Sequence, residues 1–228
     1  MNTEPWPVYR AVGDAAFLVE FGEAIDPAIS RRVLAYAQQL EQARLPGVGD
    51  IVPTYRSILI HYDPLVLSWE AVVAWVRTQP ASIGPQPGAS SRRIEIPVVY
   101  GGESGPDLDF VARAHDIPPE EVVRLHSSVE YIVHMMGFMP GFPYLGGLPP
   151  QLETPRLETP RTRVPAGSVG LAGKQTGIYP FDSPGGWRII GHTSVKLFDP
   201  ALDPPTLLAP GDRVRFAPLV PGGGPRGD

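Results

Sequence analysis

The sequence predicts two domains of different class: a small α+β layer domain followed by an all-β barrel. Three observations carry this. Strand and helix patterns run in the order β, β, α, β, α up to Thr78. Ala81–Ser91 is rich in Pro, Gly and Ser and reads as a linker. From Gly137 to Pro218 there are only short strands between turns, a pattern that favours a closed barrel. The expected boundaries are 1–80 for the first domain, 81–91 for the linker and 92–218 for the barrel domain. Residues 219–228 form a Gly/Pro-rich tail, expected to be disordered.

Val8–Arg10 and Ala15–Phe21 read as a strand or hairpin turning at Gly13-Asp14. Asp26 can cap a helix whose first residue is Pro27. Ile29, Val33, Leu34, Ala37 and Leu40 then recur at helical spacing, and the helix should end before Pro46-Gly47. Asp50–Tyr62 is a strand region, clearest over Ser57–Tyr62. Ser68 caps a second helix with Trp69, Val72, Val73 and Val76 on its apolar face. Past the linker, Arg92–Tyr100 starts a strand. Asp107–Ala114 and Pro118–His126 are two short helices, and Tyr131–Phe138 is a strand. Val169–Leu171, Trp187–Ile190 and Val195–Phe198 are short strands. Gly211-Asp212 turns the chain into a last strand, Val214–Phe216. Leu152–Arg156 and Leu157–Arg161 both read LETPR. Their five-residue period fits neither a helix face nor strand alternation, so they read as tandem turns presenting Arg156 and Arg161, with Arg163 just beyond.

The 228 residues suffice for one large or two small domains with a real core, and 43% apolar content suits a soluble globular protein. A net charge of −5 argues against a nucleic-acid role. With no cysteine there is no disulfide framework, thiol nucleophile or cysteine metal site, which is compatible with a cytoplasmic protein. Met1–Pro7 is polar and proline-broken, unlike a secretory signal. No apolar run approaches the roughly 20 residues of a membrane span.

The densest functional signal lies between Gly137 and Trp187, where Gly, Pro and aromatics crowd around three arginines. Glycine and proline at this density bend the backbone into specific turns on which ligand groups converge. Familiar motifs fail there. Gly167, Gly170 and Gly173 precede Lys174, but the P-loop spacing and its Ser or Thr are missing. No G-x-G-x-x-G occurs. Ala166–Gly170 is one residue from a nucleophile elbow, but Gly170, Gly173 and Gly177 make the helix that elbow requires unfavourable at Ser168. The histidines show no metal spacing. His126 ends a helix, where a cation suits the dipole, and is the one candidate acid/base. Arg156, Arg161 and Arg163 are candidate anion binders, because guanidinium groups take carboxylate or phosphate bidentately. Gly167, Ser168, Gln175, Thr176 and Tyr179 offer backbone or neutral hydrogen bonds. Phe138, Pro140, Phe142, Tyr144, Trp187 and His192 are core or pocket lining.

GFMPGFPYLGGL (Gly137–Leu148), PRTRVPAGSVGLAGKQTGIYP (Pro160–Pro180), SPGGW (Ser183–Trp187) and IIGHT (Ile189–Thr193) together closely resemble one family. It is that of the B component of bacterial ATP-dependent 5-oxoprolinase, also described as the kinase A inhibitor or allophanate hydrolase subunit 1 family. The resemblance implies a cyclophilin-like barrel after the α+β domain, and the C and A components as partners. It also implies ATP-dependent opening of 5-oxo-L-proline to L-glutamate by the complex; because this chain shows no complete nucleotide motif or nucleophile set, it is expected to have little or no activity alone. A lactam is a poor electrophile, so phosphorylating its carbonyl oxygen with ATP would prepare it for water, and cations would be needed around the developing charge. Two alternatives stay open: a regulatory module inhibiting a sensor histidine kinase, and an accessory domain of a urea or allophanate carboxyltransferase system. His192 stands where the family pattern has arginine, a weaker and pH-sensitive substitute.

Overall fold

The computed structural model describes residues 7–24, 26–79 and 92–219. The predicted linker Ala81–Ser91 and residues 220–228 of the predicted tail lie outside them. The chain separates into two compact units, Met1–Ser90 and Ser91–Asp228.

In the first unit, β1 (Val8–Ala11), β2 (Ala16–Glu20), β3 (Val48–Pro53) and β4 (Ser57–Tyr62) form an antiparallel sheet in the order β1-β2-β4-β3. The predicted Asp50–Tyr62 region is two strands, because Thr54 and Ser57 close a turn between them through Thr54 N–H to the Ser57 carbonyl, 2.8 Å. The helices are α1 (Pro27–Gln42) and α2 (Trp69–Thr78). Their caps are the predicted ones: Asp26 accepts from the Ala28 N–H at 2.7 Å and Ser68 from the Ala71 N–H at 3.2 Å. Helix and strand faces meet in one core, where Phe17, Val19, Val33, Leu40, Ile58, Ile60, Val72 and Val76 are fully buried.

The second unit is built on a closed barrel. Its strands are β5 (Arg93–Tyr100), β6 (Tyr131–Met136), β7 (Pro143–Gly146), β9 (Ser168–Ala172), β10 (Gln175–Ile178), β12 (Arg188–His192) and β13 (Arg213–Pro218). They close in the order β10-β7-β6-β13-β5-β12-β9, with β13 and β5 parallel and the other pairs antiparallel. Helices α3 (Leu108–Ala114) and α4 (Pro119–Ser127) pack on it. A separate two-stranded sheet pairs β8 (Arg161–Val164) with β11 (Ser183–Gly185).

Two expectations need correction. Val195–Phe198 is not a strand. Val195 N–H donates to Thr193 Oγ1, Lys196 pairs with Asp199, and only Phe198 makes a bridge, to Thr206. Backbone pairing is confined to that bridge, with Leu207 N–H donating to the Leu197 carbonyl at 2.9 Å and Asp199 N–H to the Pro205 carbonyl at 2.7 Å, and Pro204 and Pro205, which carry no N–H, cannot extend it as donors. The LETPR copies are also not matching turns. The first bridges Thr154 to Gly173, whereas the second runs directly into β8, so Arg161 and Arg163 sit on a strand. Among the described residues no helix is long and apolar enough to cross a membrane.

Candidate functional site

The aromatics singled out in the sequence come together beside β8. Phe142, Tyr179 and Trp187 form a small buried cluster with Val164, Ala172 and Ile189, and Tyr144 packs against it. Their rings meet edge to face: Phe142 lies 5.0 Å from Tyr144, 5.2 Å from Tyr179 and 5.4 Å from Trp187, centroid to centroid. Phe138 extends this cluster outward. It holds a left-handed backbone (φ 69°), leaves 63% of its surface exposed and meets Phe142 edge on at 5.5 Å. A bulky residue with that backbone is strained, so the fold holds this ring outward at a cost. Pro140 is exposed in the tight turn closed by Phe142 N–H donating to the Met139 carbonyl.

The three arginines have different surroundings. Arg161 Nη2 donates to Asp107 Oδ1 at 2.9 Å, and its Nη1 donates to the Trp187 carbonyl at 3.3 Å. Arg163 grips Asp182 through Nε at 2.9 Å and Nη2 at 2.6 Å. Arg156 is exposed, with its guanidinium over the Trp187 ring, 5.9 Å from the centroid. Burial pushes the Tyr144 and Tyr179 hydroxyls up, and the positive charge of Arg156 draws both partly back. Arg156, Arg161, Tyr144, Tyr179, Trp187 and Phe142 therefore share one neighbourhood.

Asp107 is the residue that sequence reasoning undervalued, reading it only as a helix start. It stands at the N-cap of α3, yet its side chain caps nothing there. Instead Oδ2 accepts from the Ile189 N–H at 2.6 Å while its own N–H donates to the Ile189 carbonyl at 2.8 Å. With Arg161 on Oδ1, this buried carboxylate ties α3, β8 and β12 together. Arg188 Nη1 is 4.0 Å away, and its guanidinium stacks 3.7 Å from the Phe110 centroid. Neither Asp107 nor Asp182 could have been found from local sequence, because their partners are 54 and 19 residues away.

Other candidates lie elsewhere. His126 is fully buried in the barrel, and burial pushes its pKa down to about 3. Its ring is hydrogen-bonded on both sides: Nδ1 to the Tyr100 hydroxyl at 2.7 Å and Nε2 to Thr176 Oγ1 at 3.0 Å. Thr176 donates to the Gly170 carbonyl at 3.0 Å, so His126 donates from Nε2 and accepts Tyr100's proton at Nδ1. It also stacks on Phe216 at 4.5 Å. A neutral, fully bonded, solvent-excluded imidazole has no lone pair or proton to offer a substrate, which corrects the acid/base reading of His126. Thr176 is a member of the same network. Ser168 is 3% exposed on β9, in the ladder with β10 and β12, and no helix follows it. Gly167 (φ 81°) packs so closely on Thr193 that a Cβ there would lie 2.1 Å from its carbonyl oxygen. His192 is half-buried and donates from Nε2 to the Ala166 carbonyl at 2.9 Å, beside that glycine. Gln175 opens β10, opposite Ala172. Among the described residues no group of three or more acids and histidines is placed to hold a metal.

Residues 7–208, which run through both units, match the family model "Carboxyltransferase domain, subdomain C and D", and the chain belongs to that family. Within it, the chain is similar to the B component of 5-oxoprolinase from Escherichia coli O157:H7, 49% identical over 92% of this chain and 95% of that protein. It is similar also to the B component of 5-oxoprolinase from Bacillus subtilis, 43% identical over 90% of each. The solved structure of TTHA0988 superposes with a TM-score of 0.81 at 41% identity, covering 93% of this chain. This chain spans 41% of that solved chain.

Proposed function

We propose that the protein is the B component of an ATP-dependent 5-oxoprolinase that opens 5-oxo-L-proline to L-glutamate together with A and C components. The observation that carries this is identity of 49% and 43% to two proteins of that name over nine-tenths of their length. The barrel is read as cyclophilin-like and the first unit as its α+β companion. The location is read as cytoplasmic.

The chain's own part is to bind and orient. The aromatic cluster is buried except for Phe138 and the half-buried Tyr144, which offer apolar surface, and Arg156 beside it offers a cation to a substrate carboxylate or developing negative charge. Gln175 and the backbone of the Gly-rich turns are read as partners of the lactam amide. Nucleotide does not fit the Gly167–Lys174 segment. Gly170 and Gly173 belong to the β9–β10 hairpin, where Gly170 pairs with Gly177, and a strand follows where a phosphate-binding loop requires a helix N-terminus. ATP is read as a cofactor of the assembled complex, and the isolated chain is read as inactive. A carboxyltransferase accessory role is the second reading, favoured by the family model itself. A kinase-inhibiting role has only the family resemblance behind it.

The test is 5-oxo-L-proline-dependent ATP hydrolysis with each component omitted in turn. Turnover only with all three supports the reading. Full turnover without this chain, or by this chain alone, refutes it.

A further inference from the structure

The stretch from Arg156 to Arg163 carries three guanidinium groups, and the fold has already matched two of them. Arg161 is committed to a carboxylate that is itself buried and bonded to a backbone N–H, and to the Trp187 carbonyl. Arg163 is paired twice with Asp182, which in turn accepts from the Ala166 N–H at 2.8 Å. Nearby Arg188 is stacked on Phe110, donates to the Pro155 carbonyl at 3.4 Å and has a side chain only 15% exposed. A ligand carboxylate approaching Arg161 or Arg188 would have to displace an ordered contact, whereas Arg163, with a side chain 76% exposed, already has its charge matched by Asp182 at the surface.

Arg156 is different. It is exposed, its described contact is the ring of Trp187, and no carboxylate among the described residues lies within ion-pair distance. A guanidinium held by a ring face spends none of its five N–H donors on an acid, so they remain for a planar carboxylate. Tyr144 and Tyr179 stand close enough to feel its charge, and both stay neutral at ordinary pH, so neither repels an anion. Phe138 adds exposed apolar area to the same aromatic cluster.

We propose that Arg156 is the residue that takes the carboxylate of a small cyclic-amide acid beside the aromatic cluster, while Arg161 holds the Trp187 backbone and Asp107 in place. The identity of the ring rests on the 5-oxoprolinase reading; the choice of Arg156 rests on the pairing pattern alone.

Titration calorimetry on the full chain tests it with two probes, 5-oxo-L-proline and 2-pyrrolidinone, which is the same lactam without the carboxylate. Arg156→Ala should weaken 5-oxo-L-proline binding by about tenfold or more, the loss of a charge-assisted pair. It should leave 2-pyrrolidinone binding unchanged, and Arg156→Lys should recover part of the loss. Arg124→Ala, at an exposed pair on α4, is the charge control and should bind both probes as the native chain does. Native-like binding of 5-oxo-L-proline by Arg156→Ala overturns the proposal, as does a native chain that gains nothing from the carboxylate. Turnover separates this from the functional reading. An active complex whose KM ignores Arg156→Ala sinks the site and spares the function. Carboxylate-dependent binding without turnover in any complex does the reverse.

Discussion

Leu152–Arg156 and Leu157–Arg161 are the same five residues in tandem, yet the fold uses them differently. In the first copy Leu152 is fully buried at the end of a short 3-10 turn. Thr154 is buried too, donating to the Leu152 carbonyl and bonded to His115, and its backbone bridges to Gly173. Arg156 then emerges into solvent over Trp187. In the second copy the leucine is half-buried and the threonine exposed, and it is the arginine that is drawn in, onto Asp107. A five-residue period matches neither the 3.6 of a helix nor the 2 of a strand, so successive copies cannot present the same face. Identical local sequence thus anchors the chain by its leucine once and by its arginine once.

The sharpest way to break this comparison is to truncate the two leucines. Leu152→Ala should destabilise the protein by about 3 kcal/mol, because it empties a fully packed site. Leu157→Ala should cost below about 1 kcal/mol, since the side chain is already partly in water. Urea unfolding measures both, and equal costs would mean that the copies are equivalent after all.

The arginines come next. Asp107→Ala removes the acceptor of both Arg161 and the Ile189 N–H, and should cost about 2–3 kcal/mol. Arg161→Ala should cost less, about 1–2 kcal/mol, because its side chain is 30% exposed and solvent screens the lost pair. A double-mutant cycle between the two positions should return a coupling of about 1 kcal/mol. Strictly additive losses would show that the contact contributes nothing beyond packing.

These contrasts mark what was legible in sequence. The caps Asp26 and Ser68 and the α1 and α2 stripes are local signals, and the described helices follow them. The barrel was legible as a class through its turn-punctuated short strands. What was not legible is non-local. Asp107 reads as an ordinary helix start until β8 and β12 are brought to it. Arg161 reads as a presented cation for the same reason. His126 has the composition of a catalytic residue and the position of a core one, and only the closed barrel, bringing Tyr100 and Thr176 to its two nitrogens, separates these.

The distinction between side chains committed inside the fold and those left outside extends to titration. The folded pKa of His126, about 3, lies below the ordinary value near 6.5, so between them the unfolded chain binds more protons. The contribution of neutral His126 is complete above about pH 6.5 and is lost as pH falls towards 3, by about 1.4 kcal/mol per pH unit at most. Carboxylates titrate in part of this window, so the informative quantity is the difference from His126→Gln. Its stability should fall less steeply from pH 6.5 to 5, measured by urea unfolding at each pH. A variant with the native slope would place the titration elsewhere.

The smallest expected effect is the one on which the comparison between the repeats depends most. Arg156→Ala should change stability by less than about 0.5 kcal/mol, with a melting temperature shift of no more than a few degrees. The side chain is exposed, and its described partner is the Trp187 ring at 5.9 Å, close to the limit at which a cation feels a ring face. Such a contact at an exposed position contributes about 0.5 kcal/mol, and the truncated side chain leaves no buried group unpaired behind it. Arg161→Ala, from the same pentapeptide, should be distinguishable from it in one thermal melt. If Arg156→Ala instead cost as much as Arg161→Ala, Arg156 would be a structural arginine like its twin. The asymmetry between the two copies would then be confined to their leucines and threonines.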